Sequence, residues 1–339
     1  IVDAQSGEVI TSINRIRFKN RAKLYEHNPV STPNPSDVAL PIEDSATVPR
    51  NKDVISYNCV DTKSTRTISY NGTKLVLHMC ELQQNATAGA DGDYYQYSKM
   101  DNTKGGDAFA ELSIFHHANV AYDWFRAFNP SFKLNEHAVP LFAVANVMMP
   151  GGYSLGNLAK MKDTNTPLEP LSNAFYSAWD PTLSGTMTSL FSEITGSGLF
   201  FGQGNKVDFS YDGDVVYHEF GHAVIDSTLR LVSTWHVDEQ GASPAPGAMN
   251  EALADYFSSA IAGDPRQGEY ASAEIGLTSI RNLDNTKTCP ANLGGEVHAD
   301  SEFFSSVLWK VRTSLASEAD RHSFDQAIFQ TLAAGGSGD

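Results

Sequence analysis

Apolar residues follow different periods in different parts of the chain. From Val54 to Leu82 they alternate or are β-branched around Asn71-Gly72, a pair suited to a tight hairpin turn, which predicts strands. From Ala108 to Phe128, Phe109, Leu112, Phe115, Ala118, Val120, Trp124 and Phe125 recur at three to four residue spacing, which predicts a buried helix. His116 and His117 are neighbours within it, so they leave different faces and suit packing or solvent better than a shared metal. Residues 138–157 are nearly all apolar and predict further strands. Val215, Val216, Ala223, Val224 and Ile225 then suit a buried helix, with Asp212 and Asp214 offering capping oxygens. Another helix follows the breaks at Pro244 and Pro246, carries Met249-Asn-Glu-Ala-Leu-Ala-Asp-Tyr-Phe, and stops at Gly263. Two amphipathic helices, about 299–317 and 323–333, complete the pattern. Ile1 to Ile10 reads as two short strands around Ser6-Gly7, residues 27–52 as an extended proline-rich tether, and residues 84–106 as loop. The expected class is α+β, with a β-rich N-terminal lobe at 27–211, a helical C-terminal lobe at 212–339, and the Val215 helix between them.

Composition narrows the choices of partner. The 339 residues are 41% apolar and 19% charged, an ordinary globular balance, with room for two lobes. A net charge of −16 argues against nucleic acid and against an anionic membrane surface, both polyanions. No apolar run approaches the length of a membrane span. The chain opens without a signal peptide, so any leader is expected to have been removed. Cys59 and Cys80 flank the Asn71-Gly72 turn, where a disulfide would mark an oxidising compartment; Cys289 then has no evident partner. Asn71 and Asn85 head N-x-Thr sequons. Asp91, Asp93 and Asp101 can be read as calcium ligands, but a solvated loop is the stronger reading.

The chemistry concentrates in His218-Glu219-Phe220-Gly221-His222. On a helix, residues four apart share a face, so both imidazoles can hold one metal ion. Glu219 lies beside them, placed to take a proton from water at the metal and badly placed to be a third ligand. Glu251 and Asp255 repeat the four-residue spacing on the following helix. Glu251 can complete a zinc site, and Asp255 can accept the free ring N–H of a ligand histidine. Two matched pairs on successive helices make a chance motif improbable.

These residues resemble gluzincin metallopeptidases of the thermolysin and fungalysin type, with the match extending over roughly residues 110–315. Asn173-Ala174-Phe175-Tyr176 resembles the edge strand that holds substrate backbone there, and Phe201-Gly-Gln-Gly204 the turn after it. Arg281 resembles the arginine that binds a substrate carbonyl, and His298 in Gly295-Glu-Val-His298 the second catalytic histidine. The resemblance implies a secreted Zn2+ endopeptidase acting on polypeptides, with Glu219 as general base, His298 stabilising the oxyanion, and Asn173 and Ala174 pairing the peptide. Phe209, Val215, Ile275 and Ile280 would surround an apolar side chain after the scissile bond. Residues 1–26 would be the last hairpin of the enzyme's own propeptide, or else an N-terminal extension of the mature domain. Further helices would follow residue 339, carrying a cysteine bonded to Cys289.

The chain also departs from that pattern. Ser233 stands where thermolysin-like enzymes have a tyrosine, leaving Trp235 or His236 to supply the missing donor. Of the family's Ca2+ carboxylates only Asp214 remains; Ala262, Ser272 and Leu277 occupy the other positions, so calcium lacks its donors. Asn292 is the nearest match to the aspartate that orients the second histidine. Two other classes stay open: a latent or non-catalytic zinc-binding protein on the same scaffold, and a zinc hydrolase of non-peptide amides. An intact Glu219 argues against the first, and an edge strand at 173–176 against the second.

Overall fold

The computed structural model describes residues 6, 19–44, 46–70, 73–100, 106–152, 166–179, 191, 193–229, 231, 236–239 and 241–335. The opening hairpin, apart from Ser6, lies outside these residues, as do Asn71, Asp101, Ser233 and Trp235. In chain order the strands before the first helix are β1 (Arg21–Leu24), β2 (Ser36–Ala39), β3 (Val54–Val60), β4 (Thr65–Tyr70), β5 (Thr73–His78) and β6 (Glu81–Gln83). There follow α1 (Ala108–Phe128), β7 (Leu141–Pro150), β8 (Leu168–Pro170), β9 (Ala174–Ser177), β10 (Gly198–Gly202) and α2 (Gly213–Ser227). The remainder comprises β11 (His236–Asp238), β12 (Gly241–Ser243), α3 (Ala245–Ala262), β13 (Arg266–Gln267), β14 (Arg281–Asn282), α4 (Val297–Ser314) and α5 (Glu318–Ala334). The class is α+β, strands dominating before Gly213 and helices after it.

The main sheet has the order β6-β3-β7-β10-β9, with β8 attached to β7. β3, β7 and β10 are parallel, and β9 lies at the edge of the sheet antiparallel to β10, with no strand on its far side among the described residues. The apolar run of β7 is explained by burial on both faces. Leu141, Ala143 and Ala145 join the core beneath α1, while Phe142 and Val144 join a second core with Leu77, Met79 and Phe200. Asn146, with φ 58°, adds a residue opposite β10, and Val147, Met148 and Met149 beyond it belong to the second core.

Helix α1 has the limits its periodicity predicts; Asp107 caps it, Oδ1 accepting from Phe109 N at 2.9 Å. Phe125 lies at its buried end among Phe220 of α2, Phe257 of α3 and Phe329 of α5, with ring centroids 5.1–6.0 Å away. This aromatic knot fixes α2 and α3 against one another. β1 and β2 pair across position 26, and Ala22 and Leu24 enter the main core, so residues 21–24 belong with the body that follows. Cys59 and Cys80 form a disulfide with a Cα separation of 5.3 Å, and Cys289 is an exposed free thiol. The last helices begin at Val297 and Glu318, earlier than their apolar spacing suggests, because Glu296 and Ser317 cap them. No described helix is long and apolar enough to cross a membrane.

Candidate metal centre

Helix α2 delivers the histidine pair. The Oδ1 of Asp212 accepts from Asp214 N at 3.2 Å to start the helix, and His218 and His222 leave one face with their Nε2 atoms 3.0 Å apart. Helix α3 brings Glu251, with Oε2 3.3 Å from His218 Nε2 and Oε1 3.6 Å from His222 Nε2. Gly221 permits this approach: a Cβ there would lie 2.9 Å from the Cα of Ala254 on α3.

Each ring has a partner that sets its tautomer. His218 Nδ1 lies 2.9 Å from Asp255 Oδ1, as its spacing from Glu251 predicts. His222 Nδ1 lies 2.8 Å from Asn250 Oδ1, a partner missed in the sequence although it directly precedes Glu251. Asn250 Nδ2 donates to Leu231 O at 3.1 Å, which points its oxygen at the ring. Both Nδ1 atoms therefore donate, and both Nε2 atoms turn lone pairs towards Glu251. Glu251 Oε2 is itself buried without a hydrogen-bond partner. Lone pairs and a carboxylate gathered this closely require a cation, and a metal ion would satisfy all three groups. Among the described residues this is the one histidine, cysteine or carboxylate group whose ligand atoms lie within 4.8 Å of one another.

The electrostatics agree. Burial opposes charge on His218, but the carboxylates of Asp255 and Glu251 outweigh it and raise the ring to about 10, so the site favours positive charge at this ring, whether a proton or a metal ion. Burial would likewise raise Glu251, yet the imidazoles of His222 and His218 hold it below the usual carboxylate range. Asp255 is buried too, and is lowered by Arg281 and His218. The chain thus holds an anionic pair, Glu251 and Asp255, in the interior and balances it with whatever positive charge the site contains.

Arg281, on β14, lines the cleft, but its fork is taken by Asp255: Nε lies 2.7 Å from Oδ2 and Nη2 2.6 Å from Oδ1. The residue expected to meet a substrate carbonyl is therefore also a brace for the carboxylate behind His218. His298 stands in the first turn of α4, half exposed, its Nε2 3.6 Å from Glu251 Oε1. Its Nδ1 lies 2.7 Å from Glu296 Oε1, and Oε2 of the same carboxylate caps α4 through Ala299 N at 2.9 Å. Glu296 orients the histidine, correcting the expectation for Asn292, whose Oδ1 instead accepts from Thr288 N at 2.9 Å.

A cleft of about 700 Å³ runs past these groups, with Glu219, His218, His222, Glu251 and His298 in its wall. Asn173, Ala174 and the rest of β9 form one side, as expected of an edge strand. Phe209, Val215 and Ile280 gather at one end. Ile275 does not join them: it closes the 3-10 turn 271–274 and is 64% exposed. His236 is exposed on β11 and lies outside the cleft wall, where Tyr176 and Asn250 present polar groups instead. At the far end Asp226 Oδ2 accepts from Tyr176 Oη at 2.8 Å and Asn135 Nδ2 at 2.9 Å.

Asp214 stands in the first turn of α2 and also lines the cleft. Asn28 Nδ2 bridges it to Glu269, at 3.4 and 3.3 Å, an acidic neighbour not foreseen in the sequence. Burial, with Asp212 and Glu269 nearby, raises Asp214 well above the ordinary range. Ser272 Oγ serves structure, donating to Glu269 O at 3.0 Å or to Leu277 O at 2.9 Å. Asp91 Oδ1 likewise accepts from Asp93 N at 3.1 Å, and Asp93 Oδ1 from Arg21 N of β1 at 2.9 Å. No protein-family model and no curated protein matches the chain.

Proposed function

We propose that the chain is a secreted zinc metalloendopeptidase of the thermolysin and fungalysin type. The observation that carries this reading is the meeting of Glu219 and His298 with the His218, His222 and Glu251 group in one cleft beside an open strand edge. Two imidazoles and a carboxylate are a donor set zinc takes when one position is left open. Zinc held there would supply a water acidified towards neutrality and positive charge beside the attacked carbonyl oxygen.

Glu219 would accept a proton from that water as its oxygen bonds to the peptide carbonyl carbon, and would return it to the leaving amine as the C–N bond breaks. His298, aimed by Glu296, donates to the oxygen of the attacked carbonyl. Asn173 and Ala174 hold an extended peptide as an added strand, and Phe209, Val215 and Ile280 desolvate an aliphatic or aromatic side chain after the scissile bond. On this reading residues 27–211 and 212–339 are the two lobes of the fold, with the end of the propeptide or an extension before them. The Cys59–Cys80 disulfide supports an oxidising, extracellular setting.

The test is Glu219→Gln, which leaves every ligand in place. Zinc content should remain one per chain while peptide hydrolysis falls by about 10²–10⁴-fold. Near-normal turnover with zinc retained would remove Glu219 from the mechanism.

A further inference from the structure

We infer that Asp226 selects a lysine or arginine side chain on the N-terminal side of the bond that is cut. This rests on the peptidase reading above and adds a specificity determinant to it. Ser172, just before β9, donates to Glu274 at 2.7 Å, in the 3-10 turn whose Ala271 N donates to Asp212 at the start of α2, at 2.8 Å. At the other end of β9, Tyr176 reaches Asp226 near the end of α2. β9 and α2 therefore run the same way along the cleft. A peptide pairing antiparallel to β9, the more stable arrangement, has its N-terminal half towards Asp226 and its C-terminal half towards Val215 and Ile280.

The two ends differ in charge and polarity. Towards Val215 the wall is mostly apolar; its carboxylate, Asp214, is buried and accepts from Asn28 Nδ2 and Gly268 N, and its cation, Arg281, is engaged by Asp255. Towards Asp226 the wall presents a carboxylate whose two hydrogen-bond donors, the Tyr176 hydroxyl and the Asn135 amide, are both neutral and both bind Oδ2. They orient the group without cancelling its charge. Among the described residues Asp226 carries no ion pair, and Oδ1 has no hydrogen-bond partner. A cationic side chain reaching Oδ1 would form a charge-assisted hydrogen bond to a preset acceptor, while an acidic one would meet repulsion.

The experiment compares matched peptides bearing Lys, Leu or Glu before an otherwise fixed cleavage site. Hydrolysis by the zinc-loaded wild type is measured together with binding to Glu219→Gln. The wild type should favour Lys over Leu by about tenfold in kcat/KM, a value between those of exposed and buried charged contacts, and added salt should shrink that ratio. Asp226→Asn, which keeps an oxygen for Tyr176 and Asn135, should bring the ratio close to one, and Asp226→Lys should turn it towards Glu. Salt dependence of the wild-type ratio tests the idea even if the variants fail to fold. Hydrolysis with no basic preference, with the preference after the scissile bond, or with a ratio unmoved in Asp226→Asn would overturn this inference alone. No hydrolysis, with Lys still favoured in binding and that preference lost in Asp226→Asn, would overturn the peptidase reading and leave Asp226 as the recognition group.

Discussion

Gly221→Ala tests whether the distance between two helices sets the metal site. Gly221 lies between the ligand histidines, and an added Cβ would meet Ala254 Cα at 2.9 Å, Cβ at 3.2 Å and the carbonyl oxygen at 3.4 Å. The nearest of these is backbone, so it cannot rotate away. Restoring a contact distance of about 3.5–4.0 Å requires α3 to retreat by about 0.6–1.1 Å. Overpacking of this kind costs about 1–3 kcal/mol, and replacing glycine by alanine within a helix returns about 1 kcal/mol. The metal-free protein should therefore lose only about 0–2 kcal/mol. Ligand distances, however, tolerate about 0.2 Å, and Glu251 moves with α3. Metal affinity should fall at least about tenfold, a larger effect than the fold suffers. The assay pairs urea denaturation of the metal-free protein with competition against a chromophoric zinc chelator. Affinity within twofold of wild type, in a variant that still folds, would show that Gly221 does not set the position of Glu251.

Two further outcomes follow from the same buried charges. Asp255→Ala should weaken metal affinity by about 10–100-fold, the usual size of a lost orienting partner, as measured by chelator competition; unchanged affinity would leave the His218 ring oriented by something else. Glu111 on α1 is fully buried, and burial raises it to about 8 despite donors from Asn85 N, Ala86 N and Asn58. Its folded value exceeds its unfolded one, so the fold prefers the protonated acid and loses stability as pH rises from about 4.5 to 8. Glu111→Gln should flatten that part of the denaturation profile, and a profile identical to wild type would place the pH dependence elsewhere.

The parts of the site visible in the sequence are those fixed by spacing within one helix. His218 with His222, and Glu251 with Asp255, need only the turn of an α-helix to come together, and the limits of α1 follow from its apolar repeat. Asn250 was hidden because adjacency to a ligand says nothing about which ring an amide will face. Glu296 was hidden because its double use, as helix cap and as partner to His298, depends on where α4 begins. Ile275 was placed wrongly because motif matching cannot see the 3-10 turn that directs it outwards. Asp226 lies four residues after His222, yet its partners come from Asn135 and Tyr176, 91 and 50 residues away in the chain. Contacts of that range depend on the packing of β9 against α2, which no local pattern encodes.

Asp255 is held by two cationic or proton-bearing neighbours at once, His218 on one side and the fork of Arg281 on the other. The two contacts are therefore thermodynamically linked through one shared acceptor. A ligand that draws Arg281 away leaves more of the carboxylate's negative charge to the His218 ring, and an electron-richer imidazole binds a cation more tightly. Reciprocity then requires that a bound cation, by drawing on the same ring, loosen the hold of Asp255 on Arg281 and strengthen binding of that ligand by the same factor. A cation held at His218 and a ligand at Arg281 would thus bind as one cooperative unit, with Asp255 as the coupling between them.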